Sequence, residues 1–201
     1  MSVLRTIRLW RLLLTRQLAA MEPNKANIIL DRFNETIDKW IDSLDNYTLE
    51  MLCTQPQAGS WSLGQVYIHI IADTTWFVEQ VRTCLFTNEN SEKDMHEHAK
   101  VMFRNNEFPD MQLTGPSTGV SMRQPETREE LWEELTSIKD KVNELYFASD
   151  PSVSTGKTQH PGLQFFSALE WLQFAEMHMR HHLRQKKRID DKLFLDQSGM
   201  S

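Results

Sequence analysis

Residues 178 to 185 read HMRHHLRQ and carry His178, His181 and His182, three of the seven histidines in the chain. At about 3.6 residues per helical turn, His178 and His182 project from one face a turn apart, a common chelating arrangement on helices. His181 falls about 100° round the helix from His182, beside basic residues and toward solvent. An HExxH protease motif is absent, because Met179 follows His178. A third imidazole from a second helix would complete a facial site, and His69 is the other histidine that faces inward on a helix. Neutral imidazoles bind zinc, nickel, iron or copper well, and three of them leave positions open for water or substrate.

A structural account competes with this one. An inward histidine is often a hydrogen-bonded core residue, and a pair near a helix C-terminus complements the helix dipole. The run Arg180, Arg184, Lys186, Lys187 and Arg188 has the same explanation. His96 and His98 read as exposed loop residues. A di-iron carboxylate bundle needs paired Glu-x-x-His motifs, and none of His69, His178, His181 and His182 has glutamate three residues earlier.

The elements that must position these side chains are helical. From Asn24, the residues Ala26, Leu30, Phe33, Ile37, Trp40 or Ile41, and Leu44 recur every three or four positions, predicting a first helix of about six turns. Pro56 and Gly59 break the pattern. A second helix follows Ser62, which with Gln65 resembles a capping box. Its apolar stripe runs Leu63, Val66, Ile70, Phe77, Val81, Leu85, and an adjoining one holds Val66, His69, Asp73 and Trp76. A polar connection from about Thr87 to Glu126 is long enough to wrap a bundle and to hold a short helix. Thr127 and Glu130 suggest another capping box, ahead of the stripe Leu131, Leu135, Ile138, Val142, Leu145. A loop through Asp150, Pro151, Gly156 and Pro161 leads to a last helix over about Phe166 to Lys192. Trp171, Ala175, His178, His182 and Gln185 line its inward face. The expectation is an all-α four-helix bundle with long crossover loops over residues 21–195, followed by a frayed tail at 196–201.

Composition narrows the function. The chain has 201 residues, 40% of them hydrophobic and 25% charged, which suits one soluble domain. A net charge of −6 argues against a general nucleic-acid binder. No apolar run reaches the roughly 20 residues that span a membrane. Cys53 and Cys84 form neither a metal cluster nor a disulfide framework and read as reduced thiols of a cytoplasmic protein. Residues 1–20 differ from the rest, with Arg5, Arg8, Arg11 and Arg16 and no acidic residue. They form a basic amphipathic extension, either a transit-like or surface helix or translated sequence upstream of a start at Met21.

Two stretches carry a resemblance. WSLGQVYIHIIAD, with Trp61, Gln65 and His69, and HPGLQFFSALEWLQFAEMHMRHHLRQ, with His160, Pro161, Trp171, His178, His182 and Gln185, resemble the DinB-like (DinB/YfiT) superfamily over Met21 to about Lys192. The resemblance implies a four-helix bundle with a divalent ion (zinc, nickel, iron or manganese) held by His69, His178 and His182. A glycine often found shortly after the HP pair has no obvious counterpart near Gln164. Characterised relatives include transferases and isomerases that use low-molecular-weight thiols, and others are called hydrolases. The expected function is therefore a metal-dependent enzyme acting on a small molecule through a thiol or water. A non-catalytic metal-binding or interaction module is the alternative, and the outer apolar residues permit a homodimer. For acid–base chemistry the candidates are Asp73, Glu170 and Glu176, each readable also as a solvated residue or as a partner of an imidazole Nδ1–H.

Overall fold

The computed structural model describes residues 24–108 and 122–195. The basic segment 1–20 and the tail 196–201 lie outside them. Four long helices dominate: α1 (Lys25–Ser43), α3 (Leu63–Leu85), α5 (Arg128–Ala148) and α6 (Ala168–Asp190). Between them come a 3-10 turn (Leu44–Asn46), the short helices α2 (Leu49–Cys53) and α4 (Glu97–Asn105), and a hairpin of β1 (Lys157–His160) and β2 (Gln164–Ser167). A π turn (Asp191–Leu195) follows α6.

Each long helix starts where a side chain satisfies its free amides. Asn24 caps α1. Ser62 and Gln65 form a full capping box on α3, with bonds of 3.2 and 3.0 Å. On α5 only half of the expected box forms. Thr127 accepts from the Glu130 amide, but the Glu130 carboxylate accepts from the Glu126 amide and pairs with Arg123 instead. The box on α6 is Ser167 with Glu170, which starts that helix at Ala168, two residues later than the periodicity predicts.

Contacts between named residues fix the helix directions. Thr36 meets Glu176, Trp40 meets Met179 and Tyr47 meets Asp190, so α1 and α6 run parallel. His69 meets His182 while Phe77 meets Trp171, so α3 and α6 are antiparallel. Asn34 with Asn143 and Asp38 with Lys139 set α5 antiparallel to α1. Helices α3 and α5 therefore point the same way, and their connection must return along the bundle. It does so beside α6: Phe103 packs on Phe166, Arg180 donates to the Asn106 carbonyl, and Arg184 reaches Glu107 and the Phe108 carbonyl.

Phe33, Ile37, Trp40, Tyr67, Ile70, Leu131, Leu135 and Trp171 are fully buried where the four helices meet. Each such side chain contributes about 1.5–3 kcal/mol relative to exposure. Trp40 and Tyr67 cross the core edge to face, with centroids 4.8 Å apart, and the tyrosine hydroxyl donates to the Trp40 carbonyl.

Two regions differ from the sequence expectation. The first helix gives way at Ser43 to the 3-10 turn and α2, so the apolar periodicity outlasts the α-helix. The end of the stretch read as loop, together with Phe166 and Ser167 from the expected start of the last helix, forms the antiparallel hairpin, in which Thr158 pairs with Phe166 and His160 with Gln164. Gly156 lets this hairpin approach the end of α3, since a Cβ there would lie 2.3 Å from the Thr87 carbonyl oxygen.

Candidate metal centre

His69 occupies the second turn of α3, and His178 and His182 occupy successive turns of α6. Because α3 and α6 are antiparallel and pack along their length, one turn of the first faces two turns of the second. The three Nε2 atoms converge. His182 Nε2 lies 3.2 Å from His69 Nε2 and 3.2 Å from His178 Nε2. All three ligand atoms fall within 4.8 Å of one another, as a group that could hold a metal ion requires. Two nitrogens each about 2.1 Å from one ion, at a tetrahedral angle, lie about 3.4 Å apart.

The surroundings keep these rings neutral. Trp61 packs on His69 at 5.2 Å, Phe77 on His178 at 5.5 Å, and Phe108 on His178 at 6.1 Å between centroids. The His178 side chain is 12% exposed and His182 is 9% exposed. Burial disfavours the imidazolium, so His178 is held well below the usual histidine range, with the neighbouring imidazoles adding to the effect. His182 is pushed down to about 4 by burial first and His69 second. Burial also lowers His69, and the nearby Asp73 opposes it. Neutral imidazole is the form that binds metal.

A second tier of contacts orients the rings. His182 Nδ1–H donates to Gln185 Oε1 at 2.8 Å, which leaves Nε2 as the lone-pair nitrogen. His178 Nδ1 is buried with no hydrogen-bond partner among the described residues. Asp73 stands at the Nε2 side, with Oδ2 3.6 Å from His69 and 3.5 Å from His178. It is therefore not a partner of an Nδ1–H. Burial raises its carboxyl, and His69 opposes that shift.

The other candidates have structural places. His96 caps α4 and meets His98 edge to face. His160 packs among Phe166, Trp171 and Phe174. His181 turns from the cluster toward Phe108 and Arg184. Glu170 caps α6, and Glu176 is buried, accepting from Thr36 and Arg180. The basic run engages carboxylates, Arg184 with Glu107, Lys186 with Asp190 and Lys187 with Asp191. Cys84 is buried beside Thr158 and the Phe166 carbonyl, fifteen residues along α3 from His69, or about 22 Å. No helix among the described residues is long and apolar enough to cross a membrane.

The family model described as the DinB superfamily matches residues 30–185, a span that starts in α1 and takes in all three histidines and Gln185. No curated protein matches the chain.

Proposed function

The chain belongs to the DinB superfamily, and from that premise we propose that it binds one divalent metal ion through His69, His178 and His182 and serves as a metal-dependent enzyme. The observation that carries this reading is the convergence of three Nε2 atoms from two helices, 3.2 Å across each contact to His182. The donor set fits the ion: three rings that burial keeps neutral, one of them fixed in its tautomer by Gln185. Zinc, nickel, iron and manganese are the candidates.

A divalent ion held by neutral ligands supplies Lewis acidity that lowers the pKa of a coordinated water or thiol. The protein's part is to hold, orient and shield. The antiparallel α3–α6 packing presents the nitrogens, and Trp61, Phe77 and Phe108 exclude water around them. His69 and Asp73, with side chains 20% and 39% exposed, leave the α3 side open to a small molecule. A low-molecular-weight thiol is the favoured co-substrate, giving an S-transferase, and water is the alternative nucleophile, giving a hydrolase. A cytoplasmic location accords with the free cysteines and with the lack of a membrane-crossing helix among the described residues.

The near-complete burial of His178 and His182 favours a second reading, in which the ion is structural and closed to substrate. Elemental analysis of untagged protein, beside His178→Ala, tests the metal. About one equivalent is expected in the parent and loss in the variant; no metal in the parent after incubation with zinc, nickel, iron and manganese would refute the site. Adding a small thiol to cobalt-substituted protein separates the readings, because an open position changes its visible spectrum and a closed site does not.

A further inference from the structure

Asp73 follows His69 by one turn on α3, and its carboxylate faces the converging edges of two imidazoles. Oδ2 lies 3.6 Å from His69 Nε2 and 3.5 Å from His178 Nε2. Both separations exceed a direct hydrogen bond. Both lie near the roughly 3.4 Å expected between donors that share one small ion at a tetrahedral angle. The ligand atoms that all lie within 4.8 Å of one another are those of the three histidines alone, so the carboxylate has to shift toward His182 to share their ion. The carboxylate also comes from the side of the site that is open to solvent, its side chain being 39% exposed. Among the described residues, other carboxylates along the C-terminal half of α6 are engaged elsewhere, Glu176 with Thr36 and Arg180, Asp190 with Tyr47 and Lys186, Glu107 with Arg184 and Asp191 with Lys187.

We infer that Asp73 is the anionic fourth donor of this site, an inference that rests on the three-histidine reading. Three imidazoles bring no charge to a divalent ion, and one carboxylate cancels half of it. A hard oxygen beside three nitrogens favours zinc, iron or manganese over a soft monovalent ion such as copper(I). The same position makes Asp73 the group that an incoming small molecule must pass or displace.

The experiment compares the parent with Asp73→Asn, Asp73→Ala and His178→Ala, all in the full chain. Zinc affinity is read by competition with a chromophoric chelator, cobalt coordination by visible absorption, and folding of the metal-free proteins by circular dichroism. Both Asp73 variants are expected to fold, to bind one zinc at saturation, and to bind it about 10- to 100-fold more weakly, with an altered cobalt spectrum. Affinity and spectrum unchanged in both Asp73 variants, while His178→Ala loses the metal, would overturn the role of Asp73 and leave the three-histidine site standing. A parent that binds no zinc would overturn both.

Discussion

Gln185 Oε1 lies 2.8 Å from Nδ1 of His182, three residues back on the same helix. The pair ties a polar side chain, otherwise readable as helix surface, to the ring nearest both other imidazoles. Removing the amide frees the ring to rotate and to change tautomer. Gln185→Ala is expected to weaken zinc binding about tenfold or more while leaving the helix content unchanged. Gln185→Glu, which keeps the acceptor, is expected to retain affinity. Chelator competition on both variants checks this, and equal affinity in parent and alanine variant would remove Gln185 from the site.

Acid should destabilise the metal-free protein. His182 has a folded-state pKa of about 4 against an unfolded value of about 6.5. Between those values the unfolded chain binds more protons, so stability is fully present above about pH 6.5 and is lost as pH falls toward 4. His178, His69 and His160 are shifted in the same direction by burial. From pH 7.5 to pH 5 the His182 contribution alone is about 2 kcal/mol. Urea midpoints of chelator-treated protein at the two pH values measure it. A His182→Gln variant should respond less steeply than the parent.

Thr158 on β1 accepts a 2.7 Å hydrogen bond from Nε1 of the fully buried Trp171. Thr158→Val keeps the shape and leaves the indole N–H without its acceptor. A loss of about 1–3 kcal/mol is expected. Chemical denaturation reads it, and zinc stoichiometry should stay the same, because neither Thr158 nor Trp171 offers a ligand atom to the site and Trp171 lies seven residues before His178, or about 10 Å along α6.

Gln164 adopts φ 67° after the three-residue turn of the hairpin. An L-residue there costs about 1–2 kcal/mol relative to right-handed backbone, and glycine does not carry that cost. Gln164→Gly is expected to match or raise the stability of the parent. Gln164→Val, β-branched, should lower it by about 1 kcal/mol or more. Thermal melts of the two variants decide; a valine variant as stable as the parent would show that the hairpin relaxes.

Gly162 directly follows the HP pair at φ 101°, and Gln164, two residues on, holds a second left-handed position at φ 67°. Sequence alone shows neither dihedral angle.

The sequence by itself determined the helices and the faces they bury. Apolar residues three and four apart, with Ser62, Thr127 and their partners at the starts, leave one way to hide Phe33, Ile70, Leu135 and Trp171 from water. It also placed His178 and His182 on one face, because that follows from the 3.6-residue repeat. Local periodicity carries no information about partners distant in the chain, and the rest came from there. The antiparallel fit of α3 on α6 brings His69 to the pair. The same fit turns Asp73 toward Nε2 atoms, where a sequence reading would set it against Nδ1 or in solvent. Glu176 reads as a surface carboxylate until Thr36 and Arg180 enclose it. The hairpin of residues 157–167 lacks a repeating pattern of its own, and its contacts with Cys84 and Trp171 supply what its sequence does not. Periodicity is a property of neighbours along the chain, whereas a metal site is a property of neighbours in space.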